Sequence, residues 1–300
     1  MTDLTPMVGL LYNPAVPLVL DALGTRVDFV EVIPDRLWYD FGAAARERFS
    51  HAQVAIDQLQ RYAQDRRVVG HGIGLSLPSA MPLDLELLDE VAASHSVLRY
   101  QWYSEHLSMF LVPDGSVPNA QAGMGLPVTL DEEMLDLVGG KVHQLADALR
   151  LPILLENSTI FSAIPEPDMS EPAFFNRLHA MTGCGMLLDL HNLYANTLNL
   201  GMSAADYLSE IDPDIVMEIH LAGGDWLQGH YTDSHSRRTP SPVWEWAREW
   251  APRFPNLAAI TFEYHESYHK RIGVAGVAEE IEAMHELAGR VASHRLAEVA

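Results

Sequence analysis

PILLENS (152–158), CGMLLDLHNLY (184–194) and IVMEIHLAGG (215–224) are apolar runs that each close on residues able to bind a metal: Glu156, then Asp189 and His191, then Glu218 and His220. Each run has the length and β-rich composition of a buried strand, and helix-like sequence fills the gaps between them. Side chains alternate along a strand, so Leu187, Asp189 and His191 are expected on one face, as are Glu218 and His220. Carboxylates and imidazoles converging from the C-terminal ends of neighbouring strands describe a metal site and not a core.

The same alternation of strand and helix runs outward in both directions. Further strands are expected at 7–13, 27–33, 68–77 and 100–107 before the central runs at 152–157, 185–192 and 215–222, and at 257–265 after them. Between them lie amphipathic stretches such as 42–64, a segment opened by Thr129 and Glu132 in capping-box spacing, and helices capped by Ser170, by Ser203 and at Ser241-Pro242. A closing helix is expected over 274–299. Eight such units in 300 residues predict an α/β fold, a (β/α)8 TIM barrel forming a single domain over 1–300, with chemistry at the C-terminal ends of the strands. The Pro- and Gly-rich stretch 112–127 interrupts the rhythm and reads as a lid or binding loop.

Composition narrows the function. Hydrophobic residues at 48% and charged residues at 20% suit a globular chain, and no run is long and apolar enough to span a membrane. The start, MTDLTPMVGLLYNP, lacks the basic and apolar regions of a secretory signal, and the lone Cys184 fits a reducing cytoplasm. A net charge of −22 argues against nucleic acid as a partner. Dinucleotide-binding and P-loop fingerprints are absent from the sequence.

The strand ends form one inventory: Glu31, His71, Glu105, His106, Glu156, Asn157, Asp189, His191, His220, the Asp233-Ser234-His235 turn, Glu263 and His265. A single strand-end histidine is ordinarily a hydrogen-bonded structural residue. So many ends bearing ligand atoms at once are better explained by cations, because unpaired buried carboxylates cost several kcal/mol each. Imidazole mixed with carboxylate, and no thiolate, suits iron, manganese or zinc. The candidates are too many for one octahedral ion, so two or three ions bridged by Glu156 or Asp189 are expected.

HGIGLSL, SEHLS, ILLEN, TGCGMLLDLHNLY, EIHLAG, DSH and the Phe-Glu of the last strand, in this order, resemble the MbnB/TglH family, the resemblance running from about Gly9 to Glu266. It implies a barrel holding two or three iron ions, in mixed Fe(II) and Fe(III) states, that uses O2 to modify cysteine or another residue near the end of a ribosomally made peptide. A leader-binding partner protein usually assists. By motif match the ligands would be His71, His106, Glu156, Asp189, His220, Asp233, His235 and Glu263, with Asn157 either ligating or orienting Glu156. The chain departs from relatives at LLDLHN, where His191 replaces an asparagine, and at FEYHE, where His265 is introduced. These two histidines are the candidate acid–base residues. The second strand, VEVIPDRLWY, lacks the His and Asn of relatives but keeps Glu31.

Other residues read as ordinary structure. Cys184 suits a buried small hydrophobe, and His95, His143 and His179 read as solvated. Trp244, Trp246 and Trp250 suit packing, Trp102 and Tyr103 fit either core or substrate contact, and Arg237-Arg238 could grip a carboxylate. The leading class is thus an iron- and O2-dependent peptide-modifying oxidoreductase. The alternative is a divalent-metal isomerase or hydrolase on a xylose-isomerase-like barrel, and a non-enzymatic metal-binding protein is third.

Overall fold

Every one of the eight expected runs forms a strand in the computed structural model, which describes residues 4–112, 120–162 and 167–299. The strands are β1 (Met7–Leu11), β2 (Phe29–Val32), β3 (Arg67–Gly72), β4 (Tyr103–His106), β5 (Ile153–Glu156), β6 (Gly185–Asp189), β7 (Val216–Leu221) and β8 (Ala259–Phe262). They pair in parallel around a closed ring in chain order, with β8 hydrogen-bonded to β1. The fold is therefore the (β/α)8 barrel that the sequence predicts.

Register decides what meets at the mouth. His106 lies opposite Glu156, Asp189 opposite His220, and His220 opposite Thr261, so the ligand-bearing residues of β4 to β7 stand at neighbouring levels. One layer deeper, Phe29, Val69, Trp102, Leu154 and Leu187 pack with Ala259 into an apolar plug. The larger apolar cluster lies between the strands and the surrounding helices. Polar residues thus sit on a dry floor inside the barrel, and the period of two along each strand puts them there.

Helix boundaries follow local chemistry. Asp131, and not Thr129, caps the helix Glu132–Leu149, because its carboxylate accepts from the Met134 N–H at 2.8 Å. Ser170 and Ser203 cap their helices as expected. Pro240 occupies the cap position of the helix Ser241–Trp250, so Ser241 falls in its first turn. The stretch 42–64 is helical only over Gln53–Tyr62. Its first part folds back, pairing Phe49–His51 with Trp38–Asp40, and Arg48 ties this ribbon to Asp40, Asp84 and Glu86. Strand β6 stops at Asp189, whose side chain caps the helix Leu190–Leu200 through the Asn192 N–H at 2.7 Å. His191 is therefore a first-turn helical residue, and the alternation expected to carry it does not apply.

Of the expected lid 112–127, residues 113–119 lie outside the described residues, while Met109–Val112 and Ala120–Leu126 pair as an antiparallel ribbon. Among the described residues no helix is long and apolar enough to cross a membrane. Trp102 and Tyr103 are core residues, and Cys184 is a buried thiol that burial pushes up to about 11. His179 is half-buried and bonded to the Cys184 carbonyl oxygen at 2.7 Å; it is not solvated.

On the barrel's outer surface Tyr207 donates to Glu171 at 2.8 Å, and burial nevertheless pushes the Glu171 carboxyl from 4.5 to about 7. The folded chain thus holds this proton more tightly than the unfolded chain does. The contribution is fully present below pH 4.5 and is lost as pH rises toward 7. Glu171→Gln should therefore raise Tm relative to wild type at pH 8 but not at pH 4.5. A Tm difference that is the same at both values, measured by circular dichroism melting, would contradict the assignment.

Candidate metal centre

The site begins with a tautomer. The Ser104 hydroxyl donates to the Gly70 carbonyl oxygen at 3.3 Å, so it accepts from His71 Nδ1 at 2.8 Å. That leaves His71 Nε2 as a lone pair, 3.2 Å from His106 Nε2 and 3.4 Å from Glu156 Oε2. His106 Nδ1 stands 2.9 Å from the same Glu156 oxygen. Two ligands about 2.1 Å from one octahedral ion stand about 3.0 Å apart, so these spacings are those of a coordination shell. Burial, with positive charge at His106 and His220, holds the His71 imidazole well below its usual range, which keeps the lone pair available.

Glu156 also belongs to a second group. Its ligand atoms cluster with those of Asp189 and His220, all buried, within 4.8 Å of one another. Asn192 donates to Glu156 Oε1 at 3.0 Å and fixes its orientation, leaving Oε2 without a hydrogen-bond partner. Asp189 Oδ2 is likewise buried and unpartnered, because Oδ1 is spent on the helix cap. Asn157 does not reach into this group. Its amide is closed on the Asp189 backbone, accepting at 2.8 Å and donating at 2.9 Å.

The loops after β7 and β8 supply the third part. Asp233 accepts from His191 Nδ1 and stands against His235 Nε2, each at 2.9 Å. Glu263 Oε2 links this part to the second, 3.3 Å from both His235 Nε2 and His220 Nδ1. Gly224 is required here. A Cβ would sit 1.8 Å from the Thr232 carbonyl oxygen and 3.1 Å from the His191 ring. All eight sequence-predicted ligands, and His191, therefore join one continuous cluster. His265 does not: its side chain is 38% exposed, 3.6 Å from Glu266, and accepts from the Ser267 N–H. Arg238 is paired to Glu279 and Glu280, and Arg237 to Asp225.

Two buried carboxylates sit inside the cluster but outside the predicted ligand set. Glu31 lies 3.0 Å from His220 Nε2, and Glu218 receives hydrogen bonds from Trp102 Nε1 and Thr261 Oγ1 at 2.7 Å each. Alternation was the signal for Glu218, two residues before His220 on β7.

Protons alone balance this charge poorly. Burial, aided by Asp233 and Glu156, pushes Asp189 well above the carboxylate range, and burial pushes Glu31 up to about 8. Against the burial penalty, Asp233 and Glu263 drive His235 up to about 10, while Glu263 and Glu31 drive His220 upward. Divalent cations would compensate the carboxylates together and leave the imidazole lone pairs free. The orphaned atoms at Glu156, Asp189, His191 and His220 fit that group.

A parallel barrel with imidazoles and carboxylates gathered at the C-terminal strand ends defines the class. It is similar to a xylose isomerase domain containing protein from Salmonella typhimurium (TM-score 0.58, 12% identity, 99% of each chain). It is also similar to the IOLI protein with a binding zinc atom (TM-score 0.54, 13% identity, 96% of this chain and 98% of that one). More specifically, the chain belongs to the MbnB/TglH/ChrH family of RiPP precursor modification enzymes, whose family model matches residues 8–288. A UPF0276 protein of Chromobacterium violaceum is 35% identical over 210 residues, covering 68% of this chain and 72% of that protein.

Cations that bind only the folded chain stabilise it by mass action, about 2.7 kcal/mol at a hundredfold excess over Kd. Manganese or zinc added to metal-free protein at pH 7.5 should raise Tm by roughly 5 °C or more, and by less at pH 5, where protons compete for the ligands. Calorimetric scans at the two pH values check this; no shift at pH 7.5 would contradict a metal centre.

Proposed function

We propose that this chain is a non-haem iron- and O2-dependent oxidoreductase that modifies cysteine or another residue near the C-terminus of a ribosomally made precursor peptide. Two or three iron ions, in mixed Fe(II) and Fe(III) states, would be held by His71, His106, Glu156, Asp189, His220, Asp233, His235 and Glu263. The observation that carries the reading is the double membership of Glu156, which groups with His71 and His106 and also with Asp189 and His220. A carboxylate so placed can bridge two cations, and one octahedral ion cannot use all the clustered ligands. The family supports a peptide as the substrate, and a leader-binding protein is the expected partner.

Bound iron would supply the Lewis acidity that lowers the pKa of the substrate's thiol or carboxyl group and the electrons that O2 chemistry requires. The chain's own residues do the positioning. Asn192 holds Glu156, Ser104 sets the His71 tautomer, and Asp189 is anchored by its own helix cap. His191, with Nδ1 on Asp233 and a buried Nε2 free of hydrogen bonds, would be the acid–base residue, its free nitrogen taking the proton. His265, on the exposed rim, would serve only a proton exchanged with solvent. The apolar plug below the site excludes water from beneath.

The second reading, a divalent-metal isomerase or hydrolase, has in its favour the similarity in fold to an L-ribulose 3-epimerase (TM-score 0.56, 12% identity). Iron-loaded protein incubated with the peptide encoded beside its gene should change that peptide's mass only when O2 is present. Turnover that proceeds equally without O2, or with zinc in place of iron, would favour the second reading.

A further inference from the structure

Glu31, like Glu218, is an ionisable group of the centre that the ligand set leaves unused, with no exposed surface. His220 Nε2 stands 3.1 Å from its Oε1 and 3.0 Å from its Oε2, in hydrogen-bond geometry at Oε1. The nearest alternative partner of that nitrogen, Glu218 Oε1, is 3.8 Å away. Glu218 is moreover already satisfied, one oxygen by Trp102 and the other by Thr261. On its opposite side His220 Nδ1 is buried, has no hydrogen-bond donor or acceptor in geometry, and faces Glu263 Oε2 at 3.3 Å. The ring therefore has one nitrogen with an acceptor on the barrel's inner wall and one bare nitrogen on the side of Glu263.

We propose that Glu31 is a positioning residue that fixes the His220 tautomer. By accepting the Nε2–H it makes Nδ1 the metal-binding atom and raises its basicity. A carboxylate behind a ligating histidine does this generally, and its loss typically weakens metal binding 10- to 100-fold. The same logic operates twice in the centre with different partners: Ser104 holds His71 by Nδ1 and presents Nε2, while Glu31 holds His220 by Nε2 and presents Nδ1. The two rings meet edge to face, centroids 5.3 Å apart and planes at 67°, and opposite tautomers let rings on β3 and β7 aim their lone pairs at different parts of the cluster. On β2 Glu31 stands beside Leu11 of β1 and Val69 of β3, and one of its oxygens lies within 4.8 Å of ligand atoms of Glu218 and His220, a grouping that the ion count below tests.

The inference rests on the metal centre proposed above, and the test separates the two. Metal-free wild type and Glu31→Gln are titrated with Mn(II) under calorimetry, and their Tm values are compared. The amide has the same shape and keeps an oxygen toward His220 Nε2, but it carries no negative charge. The metal-free variant should therefore fold as wild type does, while its Mn(II) affinity falls 10- to 100-fold with stoichiometry unchanged. A variant that melts lower but binds Mn(II) as tightly would make Glu31 merely structural. Loss of one whole ion at saturation would make it a ligand, and either result overturns the proposal. Wild type that binds no Mn(II) would instead overturn the metal centre itself. Should the variant fail to fold, long-range 1H–15N spectra of zinc-loaded wild type carry the test. His220 must show a protonated Nε2 and a metal-shifted Nδ1, and the reverse assignment overturns the inference.

Discussion

Carboxylates that fold into a barrel interior lose their hydration, and each leaves a cost of several kcal/mol unless something positive replaces it. Glu31, Glu156, Asp189, Glu218 and Glu263 are all 3% exposed or less and share one cluster. Imidazoles meet part of the demand, and the charges of His220 and His235 are stabilised for this reason. The compensation is incomplete, since Asp189 and Glu156 retain buried oxygens with no hydrogen-bond partner. The arrangement is intelligible as a frame for cations whose charge completes it.

Everything else in the barrel serves the rigidity of that frame. The parallel register sets His106 against Glu156 and Asp189 against His220 without help from loops. Residues on ordered strands hold ligand atoms more reproducibly than loop residues do, because the ladder fixes both backbone torsions. The apolar plug of Phe29, Val69, Trp102, Leu154, Leu187 and Ala259 keeps solvent from relieving the charge from below. Around the candidate ligands, Ser104 engages His71 Nδ1, Asn192 donates to Glu156 Oε1, and Glu31 stands against His220 Nε2.

Much of this was legible in the residues. Strand identity followed from apolar runs of the right length, and the wider inventory of candidate ligands followed because chemistry in such barrels lies at C-terminal strand ends. Where local hydrogen bonding competed with periodicity, the reading slipped. Asp189 ended β6 by capping a helix, which moved His191 off the strand, and Asp131 captured a cap position that spacing assigned to Thr129. Glu31 and Glu218 carried the right alternation but no sequence sign of which carboxylate binds and which supports. That distinction depends on donors arriving from distant strands, Trp102 and Thr261 to one and His220 to the other. The rim position of His265 was equally hidden, since it depends on this side chain capping the short 3-10 turn Glu266–Tyr268.

The central claim is that one buried cluster holds more than one ion, with Glu156 between them. The most direct measurement is an anomalous diffraction map at the iron absorption edge from crystals of protein produced in iron-rich medium. The account predicts at least two peaks per chain, one beside His71 and His106 and another beside Asp189 and His220, with Glu156 touching both. A single peak, in crystals whose elemental analysis also gives one iron per chain, would contradict it.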